Sequence, residues 1–95
     1  MRFEWDAAKA LSNHKKHGVT FQEATTVFAD PLTLIASDAV HPERLTLLGR
    51  SSRLRLLFVV YVEKHHGETL RLISARPATR AERHAYEEGT FEGPS

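Results

Sequence analysis

The 95-residue chain contains no cysteine. Neither a disulfide framework nor a thiolate metal site is open to it, and the absence suits a reducing compartment. Long apolar runs are missing too: the longest, Leu56–Val62, is far too short to cross a bilayer and suits a buried strand. The first ten residues, MRFEWDAAKA, carry acids and no apolar stretch, so no signal peptide is expected. No glycine-rich phosphate loop occurs, and neither Ser37 nor Ser74 sits in a nucleophile elbow. No strand gathers the acidic cluster that a two-metal nuclease needs. The expectation is one cytoplasmic, membrane-free domain over residues 1–95, whose core must come from apolar burial; 41% hydrophobic residues suffice for that.

Charge is scarce in sum but not in distribution. The net value is +1. Residues 1–43 balance at −2, residues 44–83 at +6 and residues 84–95 at −3. A basic block inside a near-neutral chain points to one face that meets an anion.

The pattern of elements predicts an α+β fold. Phe3-Glu4-Trp5 alternates as a short strand. Asp6 caps a helix through AAKALSNHKKH with an apolar stripe at Ala7, Ala10 and Leu11, stopped by Gly18. Thr20 with Glu23 forms a capping-box pattern ahead of Phe21, Ala24, Val27 and Phe28, and Asp30-Pro31 ends that helix. Four strands follow: Leu32–Ala36, Arg44–Arg50, Arg55–Glu63 and Thr69–Arg76. The third is apolar throughout, as a central strand covered on both faces would be. Lys64–Glu68 closes a hairpin. Thr79 with Glu82 is a second capping box, opening a last helix to about Glu88, with a loose tail over 88–95. Two N-terminal helices, a small antiparallel sheet of about four strands and a C-terminal helix are thus expected. The helices are expected on one side of the sheet, with the other side free.

The most informative stretch is Leu70–Glu87, LRLISARPATRAERHAYE. It places Arg71, Arg76, Arg80 and Arg83 around a helix N-terminus, with Tyr86 beyond. With Thr79 as cap, Arg80 and Arg83 oppose the helix dipole at a cost of ~0.3–1 kcal/mol each when exposed. A bound phosphate reverses that sign, because free N–H groups and guanidinium forks then converge on it. The competing explanation is a solvated face in which Arg83 pairs with Glu87. The histidines offer a weaker signal. His14 and His17 share a helix face but lack a third ligand, and His65-His66 falls in a turn, so no metal or other cofactor is expected.

The residues as a set resemble the BrnT toxins. Phe3-Glu4-Trp5-Asp6, Lys9, Asn13, Lys16-His17-Gly18-Val19, Phe21, Glu23-Ala24, Val27-Phe28 and Asp30-Pro31 form the first part of the pattern. His41, Glu43-Arg44, Gly49 and Ser51 continue it, and Ile73-Ser74-Ala75-Arg76, Ala78-Thr79, Glu82-Arg83 and Tyr86 complete it. One departure stands out: Pro77 follows Arg76 where the family often has a cation.

The resemblance implies a RelE-like ribonuclease fold and a metal-independent endoribonuclease toxin of a type II toxin–antitoxin pair, cleaving RNA to arrest growth. It also implies neutralisation by a BrnA-type antitoxin, contact with operator DNA only through that complex, and a homodimer or heterotetramer. Arg76, Arg80 and Arg83 are expected to hold the scissile phosphate, with His17 and Tyr86 as candidate proton carriers. Lys16 is expected to bind nucleic acid, and Arg44, Arg50, Arg55 and Arg71 to track the RNA backbone where they belong to the exposed sheet face. The alternative is a non-catalytic RNA- or antitoxin-binding module of the same fold.

Overall fold

The computed structural model describes residues 1–90. Strand β1 (Arg2–Glu4) leads to helices α1 (Ala7–His17) and α2 (Phe21–Thr26), the latter extended by a 3-10 turn at Val27–Ala29. Strands β2 (Leu34–Ser37), β3 (Leu45–Arg50), β4 (Leu56–Lys64) and β5 (Thr69–Pro77) follow, and helix α3 (Arg80–Glu88) completes the order. The caps fall where local chemistry puts them. Asp6 accepts from the Lys9 N–H at 3.0 Å, and Gly18 closes α1 with φ of 70°, a left-handed conformation that favours glycine.

The five strands form one sheet in the order β1-β5-β4-β3-β2. The meander β2 to β5 is antiparallel, as expected, but β1 adds a fifth strand and makes the sheet mixed. Phe3 pairs in parallel register with Leu70 at the edge of β5. Ile73 has no partner across the β4–β5 ladder, because the register skips from Tyr61↔Leu72 to Val60↔Ser74.

Beyond β1 that edge of β5 would be bare, and the Asn13 side chain takes it up. Its amide nitrogen donates to the carbonyls of Ala75 (2.8 Å) and Val19 (3.1 Å), and its oxygen accepts from the Ala75 N–H (3.1 Å). A buried side chain on α1 thus stands in for a strand that has run out.

Alternation along the strands sorts two cores. Leu47, Leu57, Val59, Tyr61, Leu70, Leu72 and Ala75 point to one face and pack with Val19, Phe21, Ala24 and Val27 beneath α1 and α2. Leu48, Leu56 and Phe58 point to the other, where Ala78 and Tyr86 cover them. Helix α3 therefore lies across the sheet from α1 and α2. The helices do not all share one side, because a central strand apolar on both faces needs cover on both. Val60, Val62, Ile73 and Ser74 remain half-buried.

Helix α1 also turns differently from the expected stripe. Leu11 is 63% exposed, and the inward positions are Ala10, Asn13 and His17. Only half of the α2 capping box forms: Thr20 accepts from the Glu23 N–H at 3.0 Å, but the Glu23 carboxylate turns away to Arg55 and Ser51. Of the residues expected as a tail, 88–95, Glu88 ends α3 and Gly89 caps it, and 91–95 lie outside the described residues.

Candidate phosphate-binding site

Strand β5 hands the chain to α3 through Pro77 and Ala78, whose N–H donates to the Leu56 carbonyl at 2.9 Å. Thr79 accepts from the Glu82 N–H (3.1 Å) while Glu82 accepts from the Thr79 N–H (2.9 Å), so this capping box is complete. It fixes Glu82 beside the end of β5, and Arg76 meets it there. Arg76 Nη1 and Nη2 donate to the two carboxylate oxygens at 2.8 and 2.9 Å. Nη1 also donates to the Pro77 carbonyl at 3.2 Å.

Register explains the third support. Arg76 is the cross-strand partner of Phe58, and its guanidinium carbon lies 4.2 Å from that ring's centroid. Burial works to raise the Glu82 pKa, but the bonds from Arg76 and Thr79 outweigh it and hold the carboxyl below its usual range.

Arg80 and Arg83 stand on the exposed side of α3, and neither guanidinium has a hydrogen-bond or ion-pair partner among the described residues. The expected alternative, an Arg83–Glu87 pair, is not formed. Three arginines thus share one junction, one held rigidly and two free in solvent.

Tyr86 closes the other end of α3. Its hydroxyl donates to Asp30 Oδ2 at 2.6 Å, and the same oxygen accepts from the Arg50 N–H at 2.8 Å. The Arg50 guanidinium carbon lies 5.6 Å from the Tyr86 ring centroid. Burial and the Asp30 bond both push the Tyr86 phenol above its ordinary range.

The remaining expected residues are dispersed. His17 ends α1, the helix on the opposite face, and makes no hydrogen bond or ion pair with the three arginines. Lys16 is exposed on the same helix, and Arg44 is half-buried just before β3. Arg71 lies on the α3 side of the sheet but is tied to Glu4 at 2.8 Å, beside Lys64 at 3.2 Å from the same oxygen.

Arg55 faces the helices rather than the open sheet. It donates through Nε to Glu23 at 2.9 Å and through Nη2 to the Gly18 carbonyl at 3.1 Å, while Ser51 adds a 2.7 Å bond to the same carboxylate. The latch joins α2 to the β3–β4 turn. Sequence reasoning missed Phe58 and Asp30 as supports of the site; period-two pairing of β4 with β5 carried a signal for the first, and nothing local did for the second. Among the described residues no three His, Asp or Glu side chains gather as metal ligands, and no helix is long and apolar enough to cross a membrane.

A family model described as the ribonuclease toxin BrnT of type II toxin–antitoxin systems matches residues 5–82. Among solved structures, the chain is similar to the ribonuclease toxin BrnT of Brucella abortus, with 25% identity and a TM-score of 0.67, over 84% of this chain and 99% of that one. No curated protein matches the sequence.

Proposed function

The chain belongs to the BrnT family of ribonuclease toxins, and on that premise we propose that it is a metal-independent endoribonuclease whose phosphate site is the β5–α3 junction. In this reading the ribose 2′-oxygen attacks the adjacent phosphorus and the 5′-oxygen leaves. One proton is taken from the 2′-hydroxyl and one is given to the departing oxygen. The carrying observation is the arginine set: Arg76 fixed by Phe58 and Glu82, with Arg80 and Arg83 unpaired on the next turn. Planar cationic forks stabilise the extra charge of a phosphorane. His17 is kept as a candidate acid or base. Tyr86, whose proton is engaged by Asp30, is assigned to anchoring α3. The fold of the described residues is α+β with three helices and a five-stranded mixed sheet, which departs in detail from the RelE-like arrangement expected.

A BrnA-type antitoxin in the cytoplasm would neutralise the toxin and carry the complex, as paired units, to operator DNA. Expression of the chain alone is expected to arrest growth and fragment RNA in EDTA-containing extract, with Arg83→Ala relieving both. A folded protein that leaves growth and RNA intact refutes the reading.

One observation favours the second reading, a binding module that does not cut: His17, the candidate acid or base, ends α1 on the other face of the sheet, although His84 stands exposed on α3 next to Arg83. RNA shifted on a gel but left uncleaved by the wild-type chain would select it.

A further inference from the structure

The hydrogen-bond inventory of Arg76 is uneven. Both Nη1 protons are spent, one on Glu82 and one on the Pro77 carbonyl, and one Nη2 proton is spent on Glu82. The Nε proton and the second Nη2 proton have no acceptor among the described residues. These two belong to the same side of the guanidinium and form a fork of their own. The side chain keeps 32% exposure, so part of it is open to solvent.

Two ways of receiving a phosphate follow. It could displace Glu82 and take the Nη1/Nη2 end, or it could leave Glu82 in place and take the open edge. Displacement breaks two charge-assisted bonds and also strips the Thr79 N–H of its cap. The open edge requires none of that. It also keeps the guanidinium plane fixed over Phe58 by the same contacts it has without ligand, which spares the ordering cost of a long side chain.

We propose that Glu82 is a positioning residue that stays paired with Arg76 while the RNA phosphate is received on the Nε/Nη2 edge of that arginine. This rests on the reading of Arg76 as a phosphate-binding residue and specifies how it binds. Glu82 touches no substrate; it sets the plane and direction of the fork that does.

The experiment uses the full chain and two variants. Glu82→Gln keeps an acceptor for the Thr79 N–H and breaks the bidentate pair. Thr79→Ala removes the hydroxyl cap and leaves the pair. Glu82→Gln is expected to cut RNA roughly ten- to a hundredfold more slowly at saturation while losing no more thermal stability than Thr79→Ala, whereas Thr79→Ala keeps its turnover. In parallel, a short 2′-O-methylated RNA, which cannot be cleaved, is titrated while the Arg76 Nε–H resonance is followed by NMR. That resonance is expected to move on binding.

The proposal is overturned if RNA binds while the Nε–H stays still, if Glu82→Gln cuts as fast as wild type, or if Thr79→Ala slows turnover as much as Glu82→Gln. A wild-type chain that neither binds nor cuts RNA sinks the ribonuclease reading with it, and unimpaired growth on expression reports that failure separately.

Discussion

The Tyr86 hydroxyl and the Asp30 carboxylate, 56 positions apart, hold one another at 2.6 Å and join α3 to the end of the 3-10 turn. Helix α3 has no fully buried residue, so its seat depends on such contacts as well as on Tyr86 packing against Leu48, Leu56 and Phe58. Tyr86→Phe keeps the ring and loses the bond, and should destabilise the protein by ~1–2 kcal/mol in urea unfolding. RNA cleavage is expected to survive in the folded fraction. A stable but inactive Tyr86→Phe would instead make Tyr86 a proton carrier.

Breaking the Glu23–Arg55 latch should cost more. Glu23→Ala leaves a guanidinium facing the helices without its carboxylate. Arg55 retains 36% exposure, so water offsets part of the loss and ~2–3 kcal/mol is expected. Denaturant midpoints of wild type, Glu23→Ala and Arg55→Ala would measure it, and the double variant should lose less than the sum of the two.

The same latch predicts an acid response. Arg55 is the largest influence on Glu23; burial opposes it, Ser51 adds to it, and the folded carboxyl ends below its ordinary 4.5. A depressed folded pKa means stability that is complete above the unfolded value and lost as pH falls through the folded one. Glu82 and Asp30 are shifted in the same direction. Urea midpoints should therefore be level near neutrality and fall in acid, and Glu23→Gln should flatten that fall. An unchanged slope in Glu23→Gln would count against the latch.

Asn13→Ala should be among the most damaging single changes outside the apolar core. It leaves the Ala75 N–H and carbonyl buried beside a space instead of an amide, at ~2–4 kcal/mol. Amide exchange at Ala75 should accelerate more than at its neighbours on β5, a local readout that global destabilisation alone does not give.

Gly49 is confined by closeness rather than by dihedral angle. A Cβ there would come within 2.7 Å of both Thr33 Cγ2 and Val27 Cγ1. Gly49→Ala is expected to cost ~1–3 kcal/mol through overpacking, seen as a lower thermal midpoint. Pairing it with Val27→Ala should recover part of that loss by opening room on one side.

What could be read from the residues follows how local each determinant is. Asp6, Thr20 and Thr79 cap where they were expected because a cap is settled within four residues. The Glu23 side chain was misread for the opposite reason: its true partner, Arg55, is 32 positions away. The apolar run of β4 already required cover on both faces, yet α3 shows too little apolar surface in sequence to declare which face it takes. Strand β1 was visible as alternation, but its parallel pairing with β5 is a tertiary fact. At the site, the arginines were legible as charge, whereas their division into one clamped and two unpaired groups depends on Phe58 and Glu82 lying beside Arg76 alone.

The parallel edge has a consequence for manufacture. Glu4 and Arg71 are 67 positions apart, and a chain emerging from the ribosome offers β1 no neighbour until β5 is out. Contacts of such long span are slow to close. Helix α3, with Arg80 and Arg83, emerges later still. A nascent copy therefore assembles the β5–α3 junction, with Arg76, Arg80 and Arg83, only after most of the described residues have been made.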